Sequence, residues 1–202
     1  MPSKTLFRRN FIGNVLAGFG LAMLPVRVRA LTEPEARNLV NALVADINKV
    51  IASGKSESAM IRDFEKIFRK YADVPIMARY AMGVDGRRAT PAQMSAFTKA
   101  FQGYISRKYG KRFREFIGGK IEVKKSRKIK AGYEVKTTAF LRGEAPFEVT
   151  FLISDRSGKD LFFNMFIEGV NMLLTERTEI GAMLDQRGGD IDKLITDLKR
   201  AG

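Results

Sequence analysis

The side chains in this sequence that are best placed to act on a ligand are aromatic and aliphatic. After Thr90, an amphipathic pattern places an aromatic side chain or a methionine at nearly every helical turn, and the segment 132–167 alternates apolar and polar residues. The chain contains 15 Phe and 9 Met, and methionine suits an adaptable apolar surface. Taken together, these residues favour binding of an apolar ligand between a helix and a sheet. For any single one of these residues, the alternative is that it packs in the hydrophobic core without contacting a ligand.

Groups that could perform covalent or acid–base catalysis are few. The chain has no Cys and no His, which excludes thiol nucleophiles, Cys/His metal ligands and imidazole bases. An isomerase or hydratase with a small apolar substrate, the main alternative, would need a carboxylate on the inward face of the sheet. The inward positions assigned by the alternation hold none; they are Tyr133, Val135, Thr137, Phe147, Val149, Phe151 and Phe163. The sequence therefore predicts a binding protein without catalytic residues, metal or cofactor.

A basic segment offers a second kind of chemistry. Residues 120–130 contain six Lys or Arg against Glu122 alone, in a chain with a formal net charge of +14. We interpret this segment as an edge strand that lysines protect from pairing with other chains. The alternative is a docking surface for phosphate headgroups or an acidic partner, with Lys124, Lys125 and Lys128 as its contact residues.

Helices and strands that could position these side chains are visible in local signals. Thr32–Glu35 and Thr90–Gln93 have the pattern of capping boxes, and Asp73 is placed to cap a short helix. Three alternating segments separated by turn residues predict an antiparallel meander, which helices on either side in the sequence would cover. We expect Glu168 to accept backbone N–H bonds at the start of the last long helix. The fold class predicted is α+β, a curved antiparallel sheet of about four strands covered by several helices.

The N-terminus has the pattern of an export signal. Lys4, Arg8 and Arg9 precede an apolar run from Phe11 to Leu24, and a possible cleavage site ends at Ala30. The Arg8-Arg9 pair favours the twin-arginine route, with the general secretion route as the alternative. We therefore expect an export signal in residues 1–30, a single domain in 31–202 and a location in the periplasm. Cleavage would remove five basic residues and no acid, leaving 31 basic and 22 acidic residues and a net charge of +9. Export argues against nucleic acid as the anionic partner.

Three segments of the chain resemble the MlaC/Ttg2D family of periplasmic lipid-binding proteins, also called toluene-tolerance auxiliary components. They are residues 73–83, residues 87–93 followed by Phe97 and Phe101, and residues 167–172 followed by Arg177. The resemblance implies an NTF2-like or cystatin-like sheet with a deep apolar pocket for phospholipid acyl chains. The expected lipid-binding residues are those of the long helix and the inward sheet face: Phe97, Phe101, Tyr104, Tyr109, Tyr133, Val135, Phe147, Val149, Phe151 and Phe163.

The resemblance also implies partners. Such a protein carries phospholipid, or another membrane lipid, between an outer-membrane lipoprotein complex and an inner-membrane ABC transporter with an MCE-domain subunit. The chain departs from the family at Gly86, where Trp is common, and at Asp160 and Asn164, where Trp and Asp are common. These departures leave the cargo open, and a hopanoid-type polycyclic lipid is the alternative to a phospholipid.

Overall fold

A computed structural model describes residues 30–202, with the side chains of residues 113 and 114 excepted. In this part of the chain, helices cover one face of a five-stranded antiparallel sheet, which confirms the expected α+β class. The α-helices are α1 (Glu33–Ile51), α2 (Glu57–Tyr71), α3 (Val74–Met82), α4 (Pro91–Gly110), α5 (Met172–Gln186) and α6 (Ile191–Leu198). The strands are β1 (Lys120–Ile129), β2 (Gly132–Phe140), β3 (Phe147–Ser154), β4 (Leu161–Ile167) and β5 (Val170–Asn171). Short 3₁₀ turns, Gly83–Arg87 and Lys111–Arg114, follow α3 and α4.

The starts of three helices follow the local signals of the sequence. At α4, the backbone N–H of Thr90 donates to Oε1 of Gln93 at 3.0 Å, and the N–H of Gln93 donates to Oγ1 of Thr90 at 3.1 Å. Helix α1 begins with the corresponding capping box, and Asp73 caps α3 through the N–H of Ile76. These bonds satisfy backbone donors that the first helical turn leaves free. The predicted caps are confirmed.

Helix α5 begins differently from the expectation. Oδ1 of Asn171 accepts the N–H of Leu174 at 3.1 Å, so Asn171 is the N-cap. Glu168 is exposed, has a φ of 48°, and its own backbone N–H donates to the carbonyl of Glu148 at 2.9 Å. The expected capping role of Glu168 is therefore wrong. The reason is the two-residue strand β5, which pairs with β4 and delays the start of the helix.

The sheet order is β1-β2-β3-β4-β5, so the basic segment forms an edge strand as predicted. Its register shifts between Val123 and Lys125, which makes Lys124 the extra residue of a bulge. A guanidinium of α1, that of Arg37, donates to the carbonyl of Lys124 at 2.9 Å. A bulge, lysines and a covering helix are all devices that prevent an edge from pairing with another chain.

A second bulge moves the inward face of β4 by one residue. Ile153 of β3 pairs with Phe162, whereas Leu152 pairs with Asn164, so Phe163 is the extra residue. Phe162 is buried and Phe163 is only half-buried. The expected inward position of Phe163 is therefore wrong by one residue, because a shift of one residue exchanges the two faces of a strand.

The core lies between the helices and the sheet. Its fully buried residues include Phe97, Phe101 and Tyr104 of α4, and the sheet contributes side chains of β2 and β3 such as Val135 and Ile153. In residues 30–202, no helix is both long enough and apolar enough to cross a membrane.

Candidate ligand cavity

An apolar cavity of about 60 Å³ lies between the helices and strand β4. Helices α1, α2, α3 and α4, strand β4 and the start of α5 contribute to its lining. The lining residues are Leu43, Ile47, Phe64, Ile67, Phe68, Met77, Phe101, Ile105, Tyr109, Phe162, Asn164, Met165, Met172, Leu173 and Glu176. The accessible wall is apolar, so the cavity can hold hydrocarbon but offers few groups for recognition of a polar ligand.

Helical spacing explains the contribution of α4. Phe101, Ile105 and Tyr109 follow one another at intervals of four residues, and such residues lie on one face of a helix. On the opposite side, the ring of Phe162 lies 6.1 Å from that of Phe68 and 5.6 Å from that of Phe151, measured between centroids. Phe151 thus supports the cavity wall from behind.

The structure distributes the predicted lipid-binding residues over three environments. Phe101 and Tyr109 line the cavity. Buried in the core but outside the lining are Phe97, Tyr104, Val135, Val149 and Phe151. Half-buried and also outside the lining are Tyr133, Phe147 and Phe163. Contact with a lipid stays a prediction for all ten residues, and for the eight outside the lining it requires a larger cavity.

Sequence reasoning missed the contributions of α2 and α5. The amphipathic pattern of Phe64, Ile67 and Phe68 predicts a helix, but it does not indicate that this helix faces the same space as α4. Met172 and Leu173 also line the cavity; Met172 is the last residue of the segment 167–172, whose sequence resembles the lipid-binding family, and Leu173 follows it.

A buried carboxylate, that of Glu176, forms the polar part of the wall. The side chain of Glu176 is only 3% exposed, and its Oε1 accepts from Nζ of Lys108 at 2.8 Å and from the hydroxyl of Tyr109. Lys108 also donates to Glu179, whose Oε1 accepts from the hydroxyl of Tyr104 at 2.8 Å. Among the described residues, Oε2 of Glu176 is one of two buried side-chain oxygens without a hydrogen-bond partner; the other belongs to Asp73.

Electrostatics fix the charge states of the two tyrosines and of the lysine in this cluster. Burial raises the pKa of both Tyr104 and Tyr109, and the nearby Glu176 raises them further. Burial opposes the charge of Lys108, but its hydrogen bonds to Glu176 and Glu179 outweigh burial and raise the pKa of Lys108. The two phenols are therefore neutral and the ammonium is charged at neutral pH. The cluster ties α4 to α5 at the cavity wall.

Asn164 joins β4 to the start of α5. Its Oδ1 accepts from the N–H groups of Met165 at 2.8 Å and Leu173 at 3.3 Å. Its amide donates to Oδ1 of Asn171 at 3.0 Å. Both the oxygen and the nitrogen of this side-chain amide form hydrogen bonds within the protein, which supports a structural role for Asn164 beside the cavity.

The basic residues of β1 lie outside the cavity lining. Lys124 donates to Glu122 at 2.6 Å, whereas Lys125 and Lys128 are exposed. Hydrogen bonds from Lys120 and Lys124 lower the pKa of Glu122 to about 2. All three lysines are exposed and can meet an external partner, Lys124 while paired with Glu122, but none of them lines the cavity.

Comparison with known proteins gives two findings. The family model for MlaC protein matches residues 37–200. Among solved structures, the fold is similar to that of a phospholipid-binding protein from Ralstonia solanacearum in complex with a phospholipid. The TM-score is 0.70, and the two chains are 19% identical over 82% of this chain and 95% of the other. At this level of identity the similarity establishes the fold.

Proposed function

This chain belongs to the MlaC family, and we propose that it binds a phospholipid in its apolar cavity and carries it between membrane complexes. The observation that carries the proposal is the apolar cavity itself, in a fold shared with a protein whose structure contains a phospholipid. A lipid in water exposes acyl chains at about 0.8 kcal/mol per CH₂ group. A carrier must cover that hydrocarbon, and it needs no catalytic group to do so.

Loading requires the cavity to widen. Pockets that bury small ligands have volumes of about 300–1,000 Å³, whereas this cavity measures about 60 Å³. Three of its lining residues, Met77, Met165 and Met172, are unbranched and flexible, so they can change rotamer with little strain. We infer that the acyl chains enter between β4, α2 and α5 by displacing these side chains.

The proposed route runs through the periplasm. The export pattern in residues 1–30 supports this location, although residues 1–29 lie outside the described part of the chain. The partners on this proposal are an outer-membrane lipoprotein complex and an inner-membrane ABC transporter with an MCE-domain subunit. Lys124, Lys125 and Lys128 are the proposed docking residues.

The alternative function as an isomerase or hydratase needs a free carboxylate in the cavity. Glu176 does border the cavity and its Oε2 has no partner among the described residues, but it lies on α5, its charge is paired with Lys108, and its Oε1 accepts from Lys108 and Tyr109. These bonds support a structural role. On the carrier proposal, the conservative change Glu176→Gln leaves lipid loading intact.

Bound lipid provides the direct test. Protein purified from membrane-containing cells is extracted with organic solvent, and the extract is analysed by mass spectrometry. We expect a phospholipid at a fixed ratio to protein. A hopanoid-type lipid in its place would identify the cargo as that lipid. Protein that contains no lipid and takes up none from vesicles would refute the carrier proposal.

A further inference from the structure

Exposed apolar side chains are concentrated at one place on the surface. The described residues have five exposed large apolar side chains, and four of them lie on α3, on the turn after it, on β5 or at the start of α5. These four are Tyr80, Val84, Val170 and Leu174; the fifth is Ile117. A concentration of this kind marks an interaction site more often than isolated apolar residues do.

Arg177 brings these residues together. Its guanidinium carbon lies 5.2 Å from the ring centroid of Tyr80, within cation–π distance. A Cβ on Gly83, the neighbour of Val84, would lie 3.2 Å from Nε of Arg177. Leu174 precedes Arg177 by three residues on α5, so both lie on one face of that helix. We name Tyr80, Val84, Val170, Leu174 and Arg177 the Arg177 patch.

The charge around this patch is positive. Arg79 and Arg87 are exposed beside it, and within residues 30–202 neither they nor Arg177 form an ion pair with a carboxylate. Two nearby acids do not offset this charge, because Asp85 accepts a hydrogen bond from Arg88 and Glu176, on the buried face of α5, is not exposed. Glu168, two residues before Val170, is an exposed acid close to the patch in sequence.

We propose that the Arg177 patch docks on the surface of an anionic lipid bilayer. An aromatic ring with a polar tip, aliphatic side chains and unpaired guanidinium groups match the boundary between headgroups and acyl chains. The positive charge complements anionic headgroups, which attract basic side chains near a membrane.

The position of the patch links docking to the cavity. Helices α3 and α5 present Tyr80 and Leu174 to solvent, with the half-buried Arg177 beside them. The same two helices contribute Met77, Met172 and Leu173 to the cavity lining. The patch is thus the outer side of one cavity wall. The inference rests on exposed residues and charge, independently of the proposed cargo, and adds a direct contact with membrane to the proposed function.

Vesicle flotation tests the inference. The protein, as processed by the cell that makes it, is mixed with vesicles of phosphatidylcholine and phosphatidylglycerol and, separately, of phosphatidylcholine alone. We expect the protein to bind the anionic vesicles. We expect Leu174→Glu to weaken this binding at least tenfold, because the substitution removes an aliphatic side chain that would enter the membrane and adds a negative charge that the anionic headgroups repel. Thr175→Glu is the matched control, because it adds the same charge at the next exposed position of α5 and retains Leu174.

Two further variants separate apolar from electrostatic contact. Val170→Ser with Leu174→Ser changes no charge and should weaken binding to both kinds of vesicle. Arg177→Gln should reduce the preference for anionic vesicles, whereas Lys199→Gln, on the exposed end of α6, should not.

Equal losses of vesicle binding in Leu174→Glu and Thr175→Glu would refute docking by the Arg177 patch. Docking by this patch would also be refuted if the double variant Lys125→Gln, Lys128→Gln were the only one to weaken vesicle binding. Loss of binding to a protein partner without loss of binding to vesicles would also refute it and assign the patch to that protein. Mass spectrometry of the same samples reports lipid occupancy separately, so failure of docking is distinguishable from failure of the carrier proposal.

Discussion

Lys108 is the cation on which the buried polar cluster depends. It neutralises Glu176 at the cavity wall and also donates to Glu179, so one ammonium group serves two carboxylates of α5. Removing one partner of a buried ion pair is expensive because it leaves an unpaired charge away from water. The two partners differ, since Lys108 is 27% exposed and Glu176 only 3%.

We therefore expect an asymmetry between the two single substitutions. Lys108→Met should lower the free energy of unfolding by about 3 kcal/mol, because Glu176 would lose its counterion. Glu176→Gln should lower it by less, since Lys108 keeps Glu179 and reaches solvent. Denaturation with urea measures both, with Lys193→Met as the control at an exposed pair with Asp190, where about 0–1 kcal/mol is expected. Equal losses for the two cluster variants would contradict this account.

At the level of elements, β1 is an edge strand, and a test can separate edge protection from the proposed docking role of its lysines. Lys125 and Lys128 extend into solvent from an edge strand and contribute little to the core. Removing their charges should therefore leave folding nearly unchanged whether or not a partner binds there.

The variant Lys124→Gln, Lys125→Gln, Lys128→Gln tests docking by β1. If the strand docks on an anionic partner, this variant should slow lipid transfer, and transfer by the unchanged protein should slow as salt shortens the screening length from about 10 Å at 0.1 M. Transfer rates measured at two salt concentrations decide the matter. Equal rates that do not respond to salt would assign the lysines to edge protection alone.

The ion pairs on the solvent side of the sheet predict a dependence of stability on acid. Hydrogen bonds from Lys120, Arg127 and Lys136 lower the pKa of Glu122, Glu134 and Glu148, respectively, from the ordinary 4.5. Each folded-state pKa is below its unfolded value, so between the two values the folded state binds fewer protons than the unfolded state at the same pH, and stability falls as the pH falls. The stabilisation is complete above about pH 4.5 and is lost as the pH decreases towards the pKa of about 2 of Glu122.

We expect urea denaturation midpoints to fall between pH 6 and pH 3. The variant with Gln at positions 122, 134 and 148 should show a smaller fall over the same interval, because those groups no longer titrate. A fall of the same size in both proteins would place the acid-sensitive groups elsewhere.

At the scale of the whole molecule, the carrier proposal requires the cavity to accommodate the cargo. Its lining residue Ile105 and the α6 residue Ile195 are equally buried, each with 5% of its surface exposed, but only Ile105 borders the cavity. They offer a matched pair for the same substitution.

Replacing Ile105 by Phe should reduce lipid occupancy because the larger side chain fills space that the acyl chains require. Ile195→Phe should leave occupancy unchanged, although overpacking is expected to destabilise each variant by about 1–3 kcal/mol. Lipid per protein by mass spectrometry, together with thermal unfolding, separates the two effects. A similar loss of lipid in both variants would mean that stability, and not cavity volume, controls loading.

Local signals in the sequence determined most of the elements. Caps such as Thr90–Gln93 and the alternation of β2 and β3 involve residues only two to four positions apart, so backbone hydrogen bonding and side-chain periodicity suffice to predict them. The segments that resemble the lipid-binding family are likewise continuous in sequence, which is why the family could be inferred before the fold was seen.

Only the tertiary structure decided which apolar residues border the cavity. Phe97 and Phe101 are both fully buried on α4, but only Phe101 lines the cavity. The apolar pattern in the sequence is the same whether a side chain faces the packed core or the cavity. The bulge at Phe163 depends on pairing with β3, and the burial of Glu176 depends on Lys108, 68 residues away. These features arise from contacts between distant segments, whose relative placement is set by packing of the whole chain and not by local periodicity.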